Sequence, residues 1–100
     1  MIHKAQPEST QRLHAVVHGL VQGVNFRAYT IHKATSLNLK GWVRNCSDGT
    51  VETVAEGPRH SLEAFLAFLH EGSPSARVTD VVVSWTEATG EFVGFRVRGF

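Results

Sequence analysis

Gly19-Leu20-Val21-Gln22-Gly23-Val24-Asn25-Phe26-Arg27 marks a change of hydrophobic period in the chain. Before it, Arg12 to His18 alternates, with Leu13, Ala15 and Val17 on one face and Arg12, His14, Val16 and His18 on the other. That is the pattern of a strand with one buried side. From Phe26 onward, Phe26, Thr30, Ala34 and Leu37 recur at spacings of four, four and three. This predicts a helix over Phe26 to Leu37 with one stripe turned toward a sheet, its exit bracketed by Asn38 and Gly41. A strand, a glycine loop and a helix in succession are the first half of a βαβ unit.

Downstream, Trp42 to Cys46 reads as a short strand, Ser47-Asp48-Gly49-Thr50 as a turn, and Val51 to Glu56 as the returning strand of a hairpin. Gly57-Pro58 punctuates the chain before a second helix, where Leu62, Phe65, Leu66 and Leu69 fall at i, i+3, i+4 and i+7 and Gly72 supplies the stop. After Gly72-Ser73-Pro74-Ser75, the β-branched run Val78 to Trp85, the turn Glu87-Ala88-Thr89-Gly90 and the segment Glu91 to Arg98 predict two further strands. Upstream, Met1 to Gln11 shows neither period and reads as a mobile tail, which leaves residues 12–100 as one domain.

The order predicts an α+β, ferredoxin-like split βαβ fold, with two helices on one face of a mainly antiparallel sheet of four to five strands. In a strand–helix–strand unit the two strands run parallel, so their C-terminal ends share one edge of the sheet. The glycine loop and Arg44-Asn45 are thereby expected to meet.

One hundred residues, 42% hydrophobic and 19% charged, suffice for a single core. Ten Lys and Arg against nine Asp and Glu leave a net charge of +1 with no basic run, which argues against nucleic-acid and membrane partners. Cys46 is the single cysteine, so no intrachain disulfide forms and a reducing compartment is compatible. With no apolar leader and no run of eighteen apolar residues, the expectation is a cytoplasmic monomer.

Two places in the sequence carry chemistry. Gly19 and Gly23 allow backbone conformations in which successive N–H groups turn to one side and cradle an anion, at the positive end of a helix dipole. Arg27 follows in the first helical turn, where its fork suits phosphate and keeps its charge. On the residues alone, a plain tight turn with a solvated Arg27 remains the alternative. The loop is neither a GxxxxGK(S/T) phosphate loop nor a GxGxxG dinucleotide fingerprint. The Asn45 amide offers a donor and an acceptor together, as holding a water in line for attack requires, although an Asn before a turn also serves to satisfy backbone groups.

Two other readings fare worse. His14 and His18 share a strand face but stand roughly 13 Å apart, too far for one metal ion. Lys40-Gly41-Trp42 matches only the start of an RNA-recognition pattern, which Val43-Arg44-Asn45 breaks.

Gly19 to Arg27 resembles the phosphate-binding signature of the acylphosphatase family. Gly41-Trp42-Val43-Arg44-Asn45, followed by Asp48-Gly49-Thr50-Val51, resembles its second signature. Gly57-Pro58 and Ser73-Pro74-Ser75-Ala76-Arg77-Val78 match further landmarks, so that the resemblance spans about residues 12–98. It implies hydrolysis of a small-molecule acyl phosphate to a carboxylate and inorganic phosphate, with no metal or cofactor. Arg27 and Asn45 would be the catalytic pair. Gly19, Val21, Gln22, Gly23, Val24 and Asn25 would bind substrate, the N–H groups of about Val21 to Asn25 holding the phosphoryl oxygens. Cys46 stands where many relatives have threonine; strand alternation turns it away from Asn45, and it is read as a small buried residue.

Overall fold

The computed structural model describes residues 9–99. The elements run in the order β1 (Thr10–Leu20), α1 (Phe26–Ser36), β2 (Lys40–Asn45), β3 (Val51–Pro58), α2 (Arg59–Glu71), β4 (Arg77–Glu87) and β5 (Phe95–Val97). They form one five-stranded sheet of order β4-β1-β3-β2-β5. β1 pairs antiparallel with both β3 and β4, β2 pairs antiparallel with β3, and β5 lies parallel to β2. With two helices on one face, this is the expected ferredoxin-like α+β fold.

The period-two residues of β1 build the core. Leu13, Ala15 and Val17 sit opposite Ala55, Thr53 and Val51 on one side and opposite Trp85, Val83 and Val81 on the other. Leu62, Phe65 and Leu69 of α2 and Phe26 and Ala34 of α1 pack onto that face and are buried. Fully burying a Leu, Val or Phe side chain contributes about 1.5–3 kcal/mol, so this layer dominates stability. Thr30 belongs to the same stripe, and its buried hydroxyl donates to the Phe26 carbonyl at 2.8 Å.

Three expectations shift at their edges. β1 begins at Thr10, because Thr10 and Gln11 pair with Pro58 and Gly57; of the expected tail Ser9 precedes the strand, and residues 1–8 lie outside the described residues. Cys46 is half-buried instead of buried: it lies on the sheet face without helices, with Sγ 3.9 Å from Glu52 Oε1. The last strand is only three residues long, and a carboxylate holds the turn before it. Glu56, 5% exposed, accepts from Arg12 Nε at 2.7 Å, from the N–H groups of Thr89 and Gly90 at 2.9 and 3.0 Å, and from the Thr89 hydroxyl at 3.0 Å. Beyond that clamp, β5 is held by Gly41 N–H donating to Gly94 O and by Phe95 edge-on to Phe65 at 5.8 Å.

Burial alone would raise the pKa of Glu56. The bonds from Thr89, Arg12 and Gly90 outweigh it and hold the carboxyl below its ordinary value. Such a group adds stability above its unfolded pKa of about 4.3 and loses it as pH falls through the folded value. The urea midpoint is therefore expected to fall between about pH 5 and pH 3, less steeply in Glu56→Gln than in the wild type. Equal slopes in the two proteins would show that another carboxyl carries the linkage.

On the open face Glu52 of β3 bridges to both neighbouring strands. Glu52 Oε2 lies 2.7 Å from His14 Nε2, and Glu52 Oε1 accepts from Arg44 Nη2 at 2.6 Å. The guanidinium groups of Arg98 and Arg44 lie 4.4 and 5.9 Å from the Trp42 ring centroid. Trp42 is thus flanked by two of the protein's own cations.

Candidate active site

Since β1 and β2 are each antiparallel to β3, which lies between them, they run parallel and end at the same edge. The glycine loop leaves β1 there and Asn45 closes β2. A cleft of about 520 Å³ opens between them, bordered by Gly23, Asn25, Arg27, Ile31, Asn45 and Val97. That lies within the roughly 300–1,000 Å³ of small-molecule sites. Another hollow, about 420 Å³, lies beside Trp42 and is lined by neither Arg27 nor Asn45.

The loop residues divide into those that face the cleft and those that hold the loop. Gly19, expected in the anion nest, belongs to the second group: it lies within β1 at a bulge, with φ +126°. A Cβ there would collide with the Arg77 carbonyl oxygen and come within 2.9 Å of Thr79 N, so glycine is required by the close approach of β4. The Val21 side chain is buried in the core and anchors the start of the loop. The Gln22 side chain is turned to the neck of the β2–β3 hairpin, donating from Nε2 to the carbonyls of Cys46 at 2.7 Å and Thr50 at 2.9 Å. This bond pair ties the loop to the strand end that carries Asn45. The Val24 carbonyl accepts from the Ser73 hydroxyl at 2.7 Å.

Gly23 and Asn25 shape the loop itself. Both are left-handed, at φ +73° and +61°, on either side of Val24. Left-handed residues alternating along a short stretch turn N–H groups to one side, as an anion nest requires. For Asn25 this conformation costs about 1 kcal/mol, and its side chain makes no compensating cap bond to the helix. Its carbonyl accepts from Tyr29 N at 3.2 Å and so starts α1. Phe26 then fixes the helix start by packing against Phe68, with ring centroids 6.1 Å apart.

Arg27 occupies the first turn of α1, where no acidic side chain neutralises the helix dipole. Arg12, Arg44 and Arg59 pair with Glu56, Glu52 and Glu63 respectively. Arg27 has no such carboxylate among the described residues, and it borders the cleft. Among the described residues, its charge is therefore left for a ligand.

Asn45 lies on the helix side of the sheet, since Arg44 and Cys46 before and after it both reach Glu52 on the open side. Its Oδ1 is buried and meets no hydrogen-bond donor among the described residues. The turn beyond it does not need Asn45. Cys46 N–H donates to Thr50 O at 2.9 Å, and Asp48 Oδ1 accepts from the Thr50 N–H at 3.0 Å and hydroxyl at 2.6 Å. Those bonds from Thr50 hold the Asp48 carboxyl below its usual pKa. The turn-capping alternative for Asn45 is thus filled by Asp48.

Two cleft residues carry no signal in local sequence, Ile31 on α1 and Val97 on β5. The helical period marks the α1 stripe at Phe26, Thr30, Ala34 and Leu37, and Val97 reaches the cleft only because β5 adds beside β2. Among the described residues no group of three or more His, Cys, Asp or Glu gathers as a metal site.

Comparison with known proteins gives the family. The family model described as Acylphosphatase matches residues 13–97. The chain is similar to an acylphosphatase of Pelotomaculum thermopropionicum, 47% identical over 89% of this chain and 97% of the relative. A second, from Methylococcus capsulatus, is 51% identical over 87% of this chain and 95% of the relative. The crystal structure of the acylphosphatase from Bacillus subtilis superposes with a TM-score of 0.85 at 36% identity, covering 88% of this chain and 98% of that one. With the family model matching nearly the whole chain and its relatives matched over nearly their full length, this protein belongs to the acylphosphatase family and is an enzyme that hydrolyses acyl phosphates.

Proposed function

We propose that Arg27 and the N–H groups of the Gly23–Asn25 turn hold the phosphoryl group, and that Asn45 positions the attacking water. The observation that carries this reading is the buried Asn45 Oδ1, which meets no donor among the described residues, on the same cleft as Arg27, which meets no carboxylate among them. A buried polar group left unsatisfied costs about 1–3 kcal/mol, and a water in the cleft supplies the O–H it lacks.

The reaction then proceeds as an in-line displacement. The water oxygen forms a bond to phosphorus while the bond from phosphorus to the acyl oxygen breaks, and the electron pair leaves with the carboxylate. The water proton passes to a phosphoryl oxygen, so that the products are the carboxylate and dihydrogen phosphate. Phosphoryl transfer asks mainly for alignment and charge stabilisation, and a carboxylate departs without a general acid. Each of those demands is met by Arg27, the turn and Asn45, and the scheme assigns no step to a metal or cofactor. Ile31 and Val97 border the side of the cleft where the acyl group lies.

All of these groups come from one chain, which supports a monomer as the active unit. No helix among the described residues is long and apolar enough to cross a membrane. We place the enzyme in the cytoplasm, where a single unpaired cysteine is kept reduced.

The test is hydrolysis of benzoyl phosphate, followed by loss of its absorbance, in excess EDTA. Full turnover with competitive inhibition by inorganic phosphate is the expected result. Activity that disappears with EDTA and returns with a divalent cation, or inhibition by phosphate that is not competitive, would overturn the scheme.

A further inference from the structure

Ser73 stands outside the cleft, in the connection between α2 and β4, and is 2% exposed. Its place is held on both sides: Gly72 N–H donates to Phe68 O at 2.7 Å to end α2, and Ala76 N–H donates to Ser73 O at 2.9 Å to close the turn. From there the Ser73 hydroxyl reaches a carbonyl 49 positions earlier, Val24 O, at 2.7 Å.

That carbonyl belongs to the peptide unit joining Val24 to Asn25. The unit is planar and trans, so the Val24 C=O and the Asn25 N–H point in opposite directions. Fixing the carbonyl toward the α2–β4 connection fixes the N–H away from it, on the side where Gly23, Asn25 and Arg27 border the cleft. Left-handed Gly23 and Asn25 flank the unit, and the Asn25 side chain makes no cap bond that would lock it. A rotation of the unit would present a carbonyl oxygen, in place of an N–H, to phosphoryl oxygens. Strained conformations of this kind persist where the surrounding structure over-determines them.

We propose that Ser73 is a positioning residue for phosphate binding: its hydroxyl restrains the Val24 carbonyl and thereby aims the Asn25 N–H at the phosphoryl group. This rests on the reading that the loop binds phosphate. It adds a dependence of substrate affinity on a residue that touches no substrate.

The test compares wild type and Ser73→Ala in three measurements: thermal midpoint, KM and kcat for benzoyl phosphate together with the Ki of inorganic phosphate, and the amide resonance of Asn25 during phosphate titration. The folded variant is expected to show a Ki and KM raised about tenfold, the loss of one hydrogen bond to a charged group, with a smaller change in kcat. The Asn25 amide is expected to shift strongly on saturation in the wild type and weakly in the variant. A folded Ser73→Ala enzyme with wild-type Ki overturns the positioning role, even if its thermal midpoint has dropped. If that variant does not fold, the wild type decides, since an Asn25 amide unmoved by saturating phosphate overturns the proposal. A wild-type enzyme that phosphate does not inhibit competitively overturns the phosphate-loop reading itself and this proposal with it.

Discussion

Replacing Arg27 with alanine is expected to lower kcat/KM for an acyl phosphate by about 10³-fold or more, the range in which a single arginine stabilises charge in phosphoryl transfer. The loss is expected to appear also as weakened inhibition by inorganic phosphate, since the guanidinium serves the ground-state dianion as well as the transition state. Stability is expected to stay within about 0.5 kcal/mol of wild type, because Arg27 is half-buried and makes no ion pair among the described residues. Arg27→Lys separates charge from geometry. It keeps the positive charge but not the paired donors of the fork, so it recovers only part of the activity. Steady-state kinetics with phosphate as competitor, alongside urea denaturation, make the comparison. An Arg27→Ala enzyme with unchanged phosphate affinity would remove Arg27 from the anion site.

Asn45→Ala is expected to lower the rate and leave stability nearly unchanged. Without the amide to align it, the water attacks from an unrestrained position, and kcat falls by about 10²- to 10³-fold, comparable to losing one preorganised polar group in an active site. KM and phosphate affinity change little, because Arg27 and the Gly23–Asn25 turn are untouched. Meanwhile the urea midpoint stays close to that of the wild type. The water that donates to the buried Oδ1 leaves with the amide, and Asp48 and Gln22 hold the turn beyond, so no structural bond is broken. The split between a Ki effect at Arg27 and a kcat effect at Asn45 distinguishes anion binding from water alignment. Wild-type kcat in Asn45→Ala, or a fall in both stability and phosphate affinity, would mark Asn45 as a structural residue.

The separation of rate from stability at Asn45 has a clear origin in the fold. Asp48 satisfies the backbone of the β2–β3 turn, and Gln22 holds the two carbonyls at its neck, so Asn45 has no structural bond to make on its acceptor side. Gln22 was legible as a member of the loop signature, yet its side chain works on the hairpin, leaving only its backbone to the substrate. Gly19 illustrates the same limit. A glycine in a nest and a glycine in a strand bulge both adopt positive φ, and only the Arg77 and Thr79 backbone, brought alongside by β4, shows which one this is.

The C-terminal segment tells a related story. Glu91 to Arg98 has the composition of a strand, but Phe95–Val97 alone pairs with β2. The turn before it is bound by the Glu56 carboxylate on β3, a bond between groups whose separation no local pattern records.

Sequence by itself determined the alternation of Leu13, Ala15 and Val17, the helical stripes of Phe26, Thr30 and Ala34 and of Leu62, Phe65 and Leu69, and the order of the elements. Periodicity reports which face of an element is buried, and the βαβ order makes β1 and β2 parallel, which was enough to bring Arg27 and Asn45 to one edge. Tertiary structure alone decided which loop groups face the cleft and which hold it open. Gly19 against β4, Gln22 on the hairpin and Ser73 on Val24 are contacts between residues far apart in the chain, and their hydrogen-bonding capacity is assigned only when the folded backbone sets donor beside acceptor.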